Sequence, residues 1–360
     1  MRTDAKTKTT VCGTGILATA VKTICLVSVY YVFSIGLTFY NKWMFKRFHY
    51  PLMTTCIHFL TIFILSEILR NVFRICRENS PTLDWKTYAS KVFLTGVASA
   101  LDIGLSNWSF VFITVSLYTM VKSSAIIFIL GFSILLRIEK PRFSLVFVVL
   151  LISSGLFMFV FESTQFNLEG FILVLSASFI GGIRWTLSQV LTQKKELGLG
   201  NPIDLLYHLQ PTMFIALFPL ALYQEGLSFF LSGHIFGGKT FSDIALSVTM
   251  ILCGGAIAFM LSCSEYLLLC NTSSLTLSVS GILKEIVTLL LATTYNGDHL
   301  TPLNWGGFVV CLLGICLHVY LKVTAGTKDK VDASLEMKLL PNVGSSDSGS
   351  EDEIFTSVRR

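Results

Sequence analysis

Charge is what this chain of 360 residues has least of: Asp, Glu, Lys and Arg make up 14% of it, against about 25% in soluble domains. A water-soluble globule is excluded, and with 53% hydrophobic residues the chain reads as a polytopic membrane protein. Cysteine motifs are missing as well. The nine cysteines (12, 25, 56, 76, 253, 263, 270, 311 and 316) show no CxxC and no Cys/His ligand spacing, so nothing supports a zinc site or a disulfide framework. There is no glycine-rich phosphate loop, no GxSxG, no HExxH and no span pairing two acids with a histidine. These gaps argue against an enzyme and against a bound cofactor. A short apolar core with a small-residue cleavage site is also lacking, so the first apolar run is expected to be retained as a helix.

What is present is a series of ten apolar runs, at about 22–44, 51–73, 90–113, 115–137, 142–161, 168–192, 202–224, 243–270, 272–296 and 301–321. Each is long enough to cross a bilayer as a helix. Ten crossings place both termini on one side, where twenty of the 27 lysines and arginines then fall. Only Lys42, Lys46, Arg47 and Lys239 fall on the other, so the positive-inside rule puts both termini in the cytoplasm. The formal charge of +5 follows this topology and implies no nucleic-acid surface.

An internal repeat is visible at two places. Ser116-Leu117 and Ser274-Leu275 open two spans 158 residues apart, and Gly155 and Gly314 lie 159 apart. Two copies of five helices follow, and because five is odd the second must enter the membrane inverted, as in alternating-access transporters. The expected organisation is a cytoplasmic segment at 1–21, repeats at 22–161 and 162–322, and a disordered acidic tail at 323–360. Within that tail Ser345-Ser-Asp-Ser-Gly-Ser-Glu-Asp-Glu353 is too acidic to pack. Its Ser345, Ser346, Ser348 and Ser350 are candidates for phosphorylation.

Three basic residues lie inside spans: Lys122, Arg184 and Lys284. Lys284 is deepest, about 18 Å along its helix at roughly 1.5 Å per residue. A charge there costs on the order of 3 kcal/mol even on a lenient insertion scale, so something must compensate it. Lys122, about 10 Å deep, has snorkelling as its alternative. So does Arg184, with Trp185 as an interfacial anchor, although polar residues at 184, 188 and 189 share one helix face. Glu285 points about 100 degrees away from Lys284 and is free to pair with a cation elsewhere. Asp102 is the available counter-charge, for Lys284 or for Arg184. Asn107 and Ser106 stay open between lining a site and packing helices. Cations converging near the midplane favour an anionic ligand, and a diphosphate compensates two or more of them.

These residues carry a family likeness. Asn41-Lys42, Phe48-His-Tyr-Pro51 and His58 resemble the first two helices of the plastid triose-phosphate and nucleotide-sugar transporters. Val115-Ser-Leu-Tyr-Thr-Met-Val-Lys122-Ser and Leu283-Lys284 resemble their helices 4 and 9. With Asp102-Ile-Gly-Leu-Ser-Asn-Trp-Ser109 and Phe179-Ile-Gly-Gly-Ile-Arg-Trp185, the chain is similar to solute carrier family 35, in the C branch that holds the GDP-fucose transporter. The resemblance implies an all-α drug/metabolite transporter fold and a Golgi or ER exchanger, the cis-Golgi or ER–Golgi intermediate included. Such an exchanger carries a nucleotide sugar inward against a nucleoside monophosphate.

It further implies that Lys284, Arg184 and Lys122 grip phosphate, with Tyr118, Thr119 and Ser123 along the same wall and Asn41, Lys42, Asn107 and Glu285 contributing. Glu285 departs from the pattern, since the triose-phosphate carriers have a second basic residue there. That departure argues against a bare sugar phosphate as substrate. A different class of role, motivated by Glu285 and the tail, is a non-transporting scaffold that modulates Golgi fucosylation through a partner carrier or enzyme. A homodimer, or a complex with another Golgi transporter, is the expected assembly.

Overall fold

The computed structural model describes residues 4–72, 85–135, 143–161, 166–193, 201–226, 229, 241–271, 274–295 and 300–339. They form an all-helical protein: α1 (Asp4–Arg47), α2 (Pro51–Val72), α3 (Leu94–Ser109), α4 in two pieces, α4a (Val115–Ser123) and α4b (Ala125–Leu135), α5 (Phe143–Phe161), α6 (Leu168–Gln193), α7 (Pro202–Ala221), α8 (Phe241–Asn271), α9 (Ser274–Tyr295) and α10 (Pro302–Leu339). In hydrocarbon every backbone polar group must bond within its own segment, which is why apolar runs of this length become helices. Among the described residues, eight spans are long and apolar enough to cross a membrane. The short α3 is lengthened by a turn at Trp85–Thr87 and a π-helical stretch at Tyr88–Phe93.

Two helices outrun their apolar runs. α1 begins at Asp4 rather than near residue 22, and α10 continues to Leu339, past the boundary at 322. Hydropathy marks where the hydrocarbon lies, whereas a helix extends into water as long as its own backbone bonds are kept. The acidic run from Ser345 lies outside the described residues. Residues 1–319 form one compact unit and 320–360 a second, so the segments 22–161 and 162–322 do not separate as two bodies.

The reason lies in how the helices pair. α3 packs on α6 and α1 on α8; α2 packs on α8 and α3 on α7; α2 packs on α3 and α7 on α8. Raising each helix number by five, counting α10 as followed by α1, converts the first pairing of each set into the second. The pairs α2–α7 and α4a–α9 convert into themselves. The α5–α10 contact repeats the relation at single residues: a Cβ on Gly155 would lie 2.5 Å from the Cys311 backbone nitrogen, and one on Gly314 would lie 2.8 Å from Ile152. Gly155 and Gly314 are 159 positions apart, and so are Ile152 and Cys311. Reciprocal contacts of this kind are those of a two-fold relation.

The apolar core is built of Met44, Phe45, Leu52, Leu205, Leu206 and Leu217, among others, from α1, α2 and α7. Charged side chains close the helix ends around it. Lys42 Nζ donates to the Phe110 carbonyl at 2.6 Å and to that of Ile113, at the C-terminal end of α3. Glu225 accepts from the backbone N–H groups of Leu52 (2.9 Å) and Met53 (2.8 Å), the first turn of α2. Both satisfy orphan groups at helix termini and oppose the local dipole. At the other end of α2, Arg70 pairs with Asp204 at 3.4 Å and lies 4.4 Å over the Tyr207 ring.

Candidate functional site

The site starts from a break in a helix. α4a opens on Thr114, whose side chain accepts from the Leu117 N–H at 3.2 Å, and its last turn carries Lys122. At Ser124 the chain tightens: its N–H and Oγ both donate to the Val121 carbonyl (3.1 and 2.6 Å), and Ile127 N–H turns back to the Ser124 carbonyl at 2.9 Å. Adjacent serines that bond their own backbone compete with the helical ladder. Ser178 on α6 also reaches the Val121 carbonyl, at 3.3 Å. The pair Ser123-Ser124 was the sequence signal for this break, which hydropathy reads as one span over 115–137.

Directly beside the break lies Asp102 of α3, 1% exposed. Lys122 Nζ donates to its Oδ1, and Arg184 Nε donates to its Oδ2 at 2.9 Å. Lys122 Nζ also donates to Ser106 Oγ at 2.9 Å. Gly181 is what lets α6 approach so closely, since a Cβ there would sit 3.2 Å from both carboxylate oxygens. Asp102 therefore serves Lys122 and Arg184 together, and the pairing with Lys284 is not formed. The physical reason is packing: α3 lies along α6, while α9 lies against α4a and α1.

Arg184 is held by Nε alone. Its two terminal amino groups have no hydrogen-bond partner among the described residues, and the guanidinium stands 4.6 Å from the Trp185 ring centroid. Lys284 is freer still. It makes no ion pair among the described residues and stands 5.7 Å from the Tyr30 ring centroid. Tyr118 of α4a, Glu285 and Glu265 act on it electrostatically, and Glu265 of α8 acts on Arg184 as well. Tyr31 of α1 donates its hydroxyl to the Ser280 carbonyl, one turn before Lys284. Glu285 faces Ser123, and its Oε2 is buried with no hydrogen-bond partner.

The charges thus gather as one series: Lys122, Asp102 and Arg184 are joined by hydrogen bonds, Glu265 neighbours Arg184 and Lys284, and Glu285 follows Lys284 on α9. Lys122, Arg184, Lys284, Glu285, Asp102 and Tyr118 of the sequence-predicted site are brought together. Thr119 and Ser123 lie on the same helix, but their hydroxyls donate to carbonyls of their own helix at 2.8 and 3.0 Å. Asn41, Lys42 and Asn107 fall elsewhere. Asn41 donates to Asn107 at 3.3 Å and Asn107 to Thr55 Oγ1 at 2.9 Å, so the three tie α1, α2 and α3 together beside the core. Glu265 is not among the sequence-predicted site residues. Its signal was a charge inside an apolar run, close to the C-terminal end of α8.

A helical membrane bundle with an array of opposed charges inside it is the setting of a carrier. The Triose-phosphate Transporter family model matches residues 21–319, and the chain belongs to that family. It is 34% identical to a protein of Arabidopsis thaliana named as a sugar phosphate/phosphate translocator, over 89% of this chain and 78% of the relative. It is also 27% identical to YMD8 of Saccharomyces cerevisiae, named for nucleotide-sugar transport, over 84% of this chain and 85% of the relative. A further Arabidopsis thaliana protein named as a sugar phosphate/phosphate translocator is 27% identical over 86% and 87%.

Proposed function

We propose that the protein exchanges phosphate-bearing solutes across a Golgi or ER membrane, carrying a nucleotide sugar inward and a nucleoside monophosphate outward, with GDP-fucose the sugar nucleotide its resemblance implies. One observation carries the reading: among the described residues, Arg184 has both terminal amino groups without a hydrogen-bond partner and Lys284 has no ion pair. Two cations presented from α6 and α9 suit two phosphoryl groups, which arginine and lysine bind by charge-assisted hydrogen bonds. The names of the relatives, sugar phosphate/phosphate translocator and nucleotide-sugar transport, agree on a phosphorylated sugar. Glu285, in place of a second cation after Lys284, favours the nucleotide sugar within that class.

Alternating access would come from two inverted five-helix repeats, 22–161 and 162–322, rocking about the pairs α2–α7, α4a–α9 and α5–α10. The support is the pairing relation of five and the reciprocal contacts at Gly155 and Gly314. The test is uptake of labelled GDP-fucose into proteoliposomes preloaded with GMP. Lys284→Ala is expected to remove it at normal protein level; unchanged uptake rejects the site.

One observation favours a scaffold that does not transport: Asp102 already compensates Lys122 and Arg184 without any ligand. A panel of nucleotides and nucleotide sugars that leaves the melting temperature of the reconstituted protein unmoved would select that reading.

A further inference from the structure

The series contains three cations, Lys122, Arg184 and Lys284, and three carboxylates, Asp102, Glu265 and Glu285. Among the described residues, cationic and acidic side chains in this series are therefore equal in number. This changes what an arriving anion does. In a purely cationic site a phosphate group restores neutrality, whereas here it adds negative charge inside the membrane, where unbalanced charge is expensive. From this balance we infer that anion binding is coupled to uptake of a proton by the Glu285 carboxylate. The inference rests on the anion-carrier reading above and names the coupling ion of that site.

Geometry selects Glu285 among the three acids. Asp102 has each oxygen on a different cation, Lys122 and Arg184. Glu265 neighbours two cations, Arg184 and Lys284. Among the described residues, Glu285 has one cation near it, its sequence neighbour Lys284, and its buried Oε2 has no hydrogen-bond partner. The groups around this end of the series are few. α4a contributes Ser123, beside Glu285, and Tyr118, beside Lys284; α1 contributes Tyr30 and Tyr31, both beside Lys284. Glu265 comes from α8 and Cys311 from α10.

When a phosphate oxygen takes Lys284, Glu285 shares that cation with a second negative charge, and among the described residues no other cation neighbours it. A proton from the aqueous phase adds to Oε2 and gives a neutral carboxylic acid; no other bond changes. Exchange of two anions of equal charge then moves no net proton, because one is bound and one released per cycle. Net uptake of one anion carries a proton with it.

The test is isothermal titration of the full chain in lipid nanodiscs with GDP-fucose, GMP and inorganic phosphate, in two buffers of different ionisation heat. Wild type is expected to take up one proton per bound anion, and affinity is expected to fall by about tenfold per pH unit where the linkage is complete. Glu285→Gln is expected to bring the proton count to zero and flatten the pH dependence. Glu169→Gln, exposed in the first turn of α6 and outside the series, is expected to keep both. Should Glu285→Gln not fold, proteoliposomes of wild type with a trapped pH dye decide instead: net GDP-fucose uptake acidifies the lumen, and GMP-loaded exchange does not. Binding with no buffer dependence, a proton count that survives Glu285→Gln, or net uptake without acidification overturns the inference and leaves the carrier reading standing. Failure of all three anions to bind overturns both.

Discussion

Arg184 on α6 and Asp102 on α3, 82 residues apart in the chain, meet at 2.9 Å through Nε and Oδ2. Among the described residues the terminal amino groups of the guanidinium have no hydrogen-bond partner, so Asp102 aims Arg184 without consuming it. Because the other carboxylate oxygen belongs to Lys122, a single acid fixes cations on two helices.

Removing that acid strands two charges at once. Asp102→Asn is expected to destabilise the protein by about 3–5 kcal/mol, the usual consequence of leaving a buried charge uncompensated. Thermal melting in nanodiscs measures it. A melting temperature within a degree of wild type would show that neither cation depends on Asp102.

The two cations are unequally placed, with Lys122 25% and Arg184 11% exposed along the side chain. Arg184→Gln is therefore expected to cost more uptake than Lys122→Gln, by roughly tenfold or 1.4 kcal/mol. Initial rates of GMP-driven uptake compare them; the reverse order would place the anion on Lys122.

Lys42 bonds carbonyls at the end of α3. Lys42→Met is expected to lower stability by about 1–3 kcal/mol, since buried acceptors lose their donor. Anion affinity per folded molecule should stay as in wild type. A titration showing weakened binding at unchanged melting temperature would return Lys42 to the binding site.

Gly155→Ala is expected to lower the melting temperature, because the added carbon would meet Gly307 and Cys311 backbone at 2.6 and 2.5 Å, and overpacking costs about 1–3 kcal/mol. Gly36→Ala, with nothing within 4 Å, serves as the comparison and is expected to be neutral or stabilising through helix propensity. Equal melting temperatures for the two variants would contradict the close α5–α10 approach.

Much of the site was legible because buried charge is conspicuous against an apolar background: Lys122, Arg184, Lys284 and Asp102 stand out by depth alone. Their partners did not. Asp102 to Lys122 and Asp102 to Arg184 depend on which helices are neighbours, and no local periodicity records that α3 lies along α6. Asn41, Lys42 and Asn107 look like site residues by type, yet their hydrogen bonds join α1, α2 and α3 to one another. Glu265 looks isolated in its own span and becomes central only when α8 brings it near two cations.

The sequence by itself determined that this is an all-helical polytopic membrane protein with three basic residues inside its apolar runs. Those are properties of single helices, set by length, hydropathy and depth. Tertiary structure decided that three carboxylates lie near the three cations, and that α3 lies along α6 and α1 along α8. Both depend on contacts between residues far apart in the chain, where packing shape selects the neighbour and local composition carries no trace of the choice.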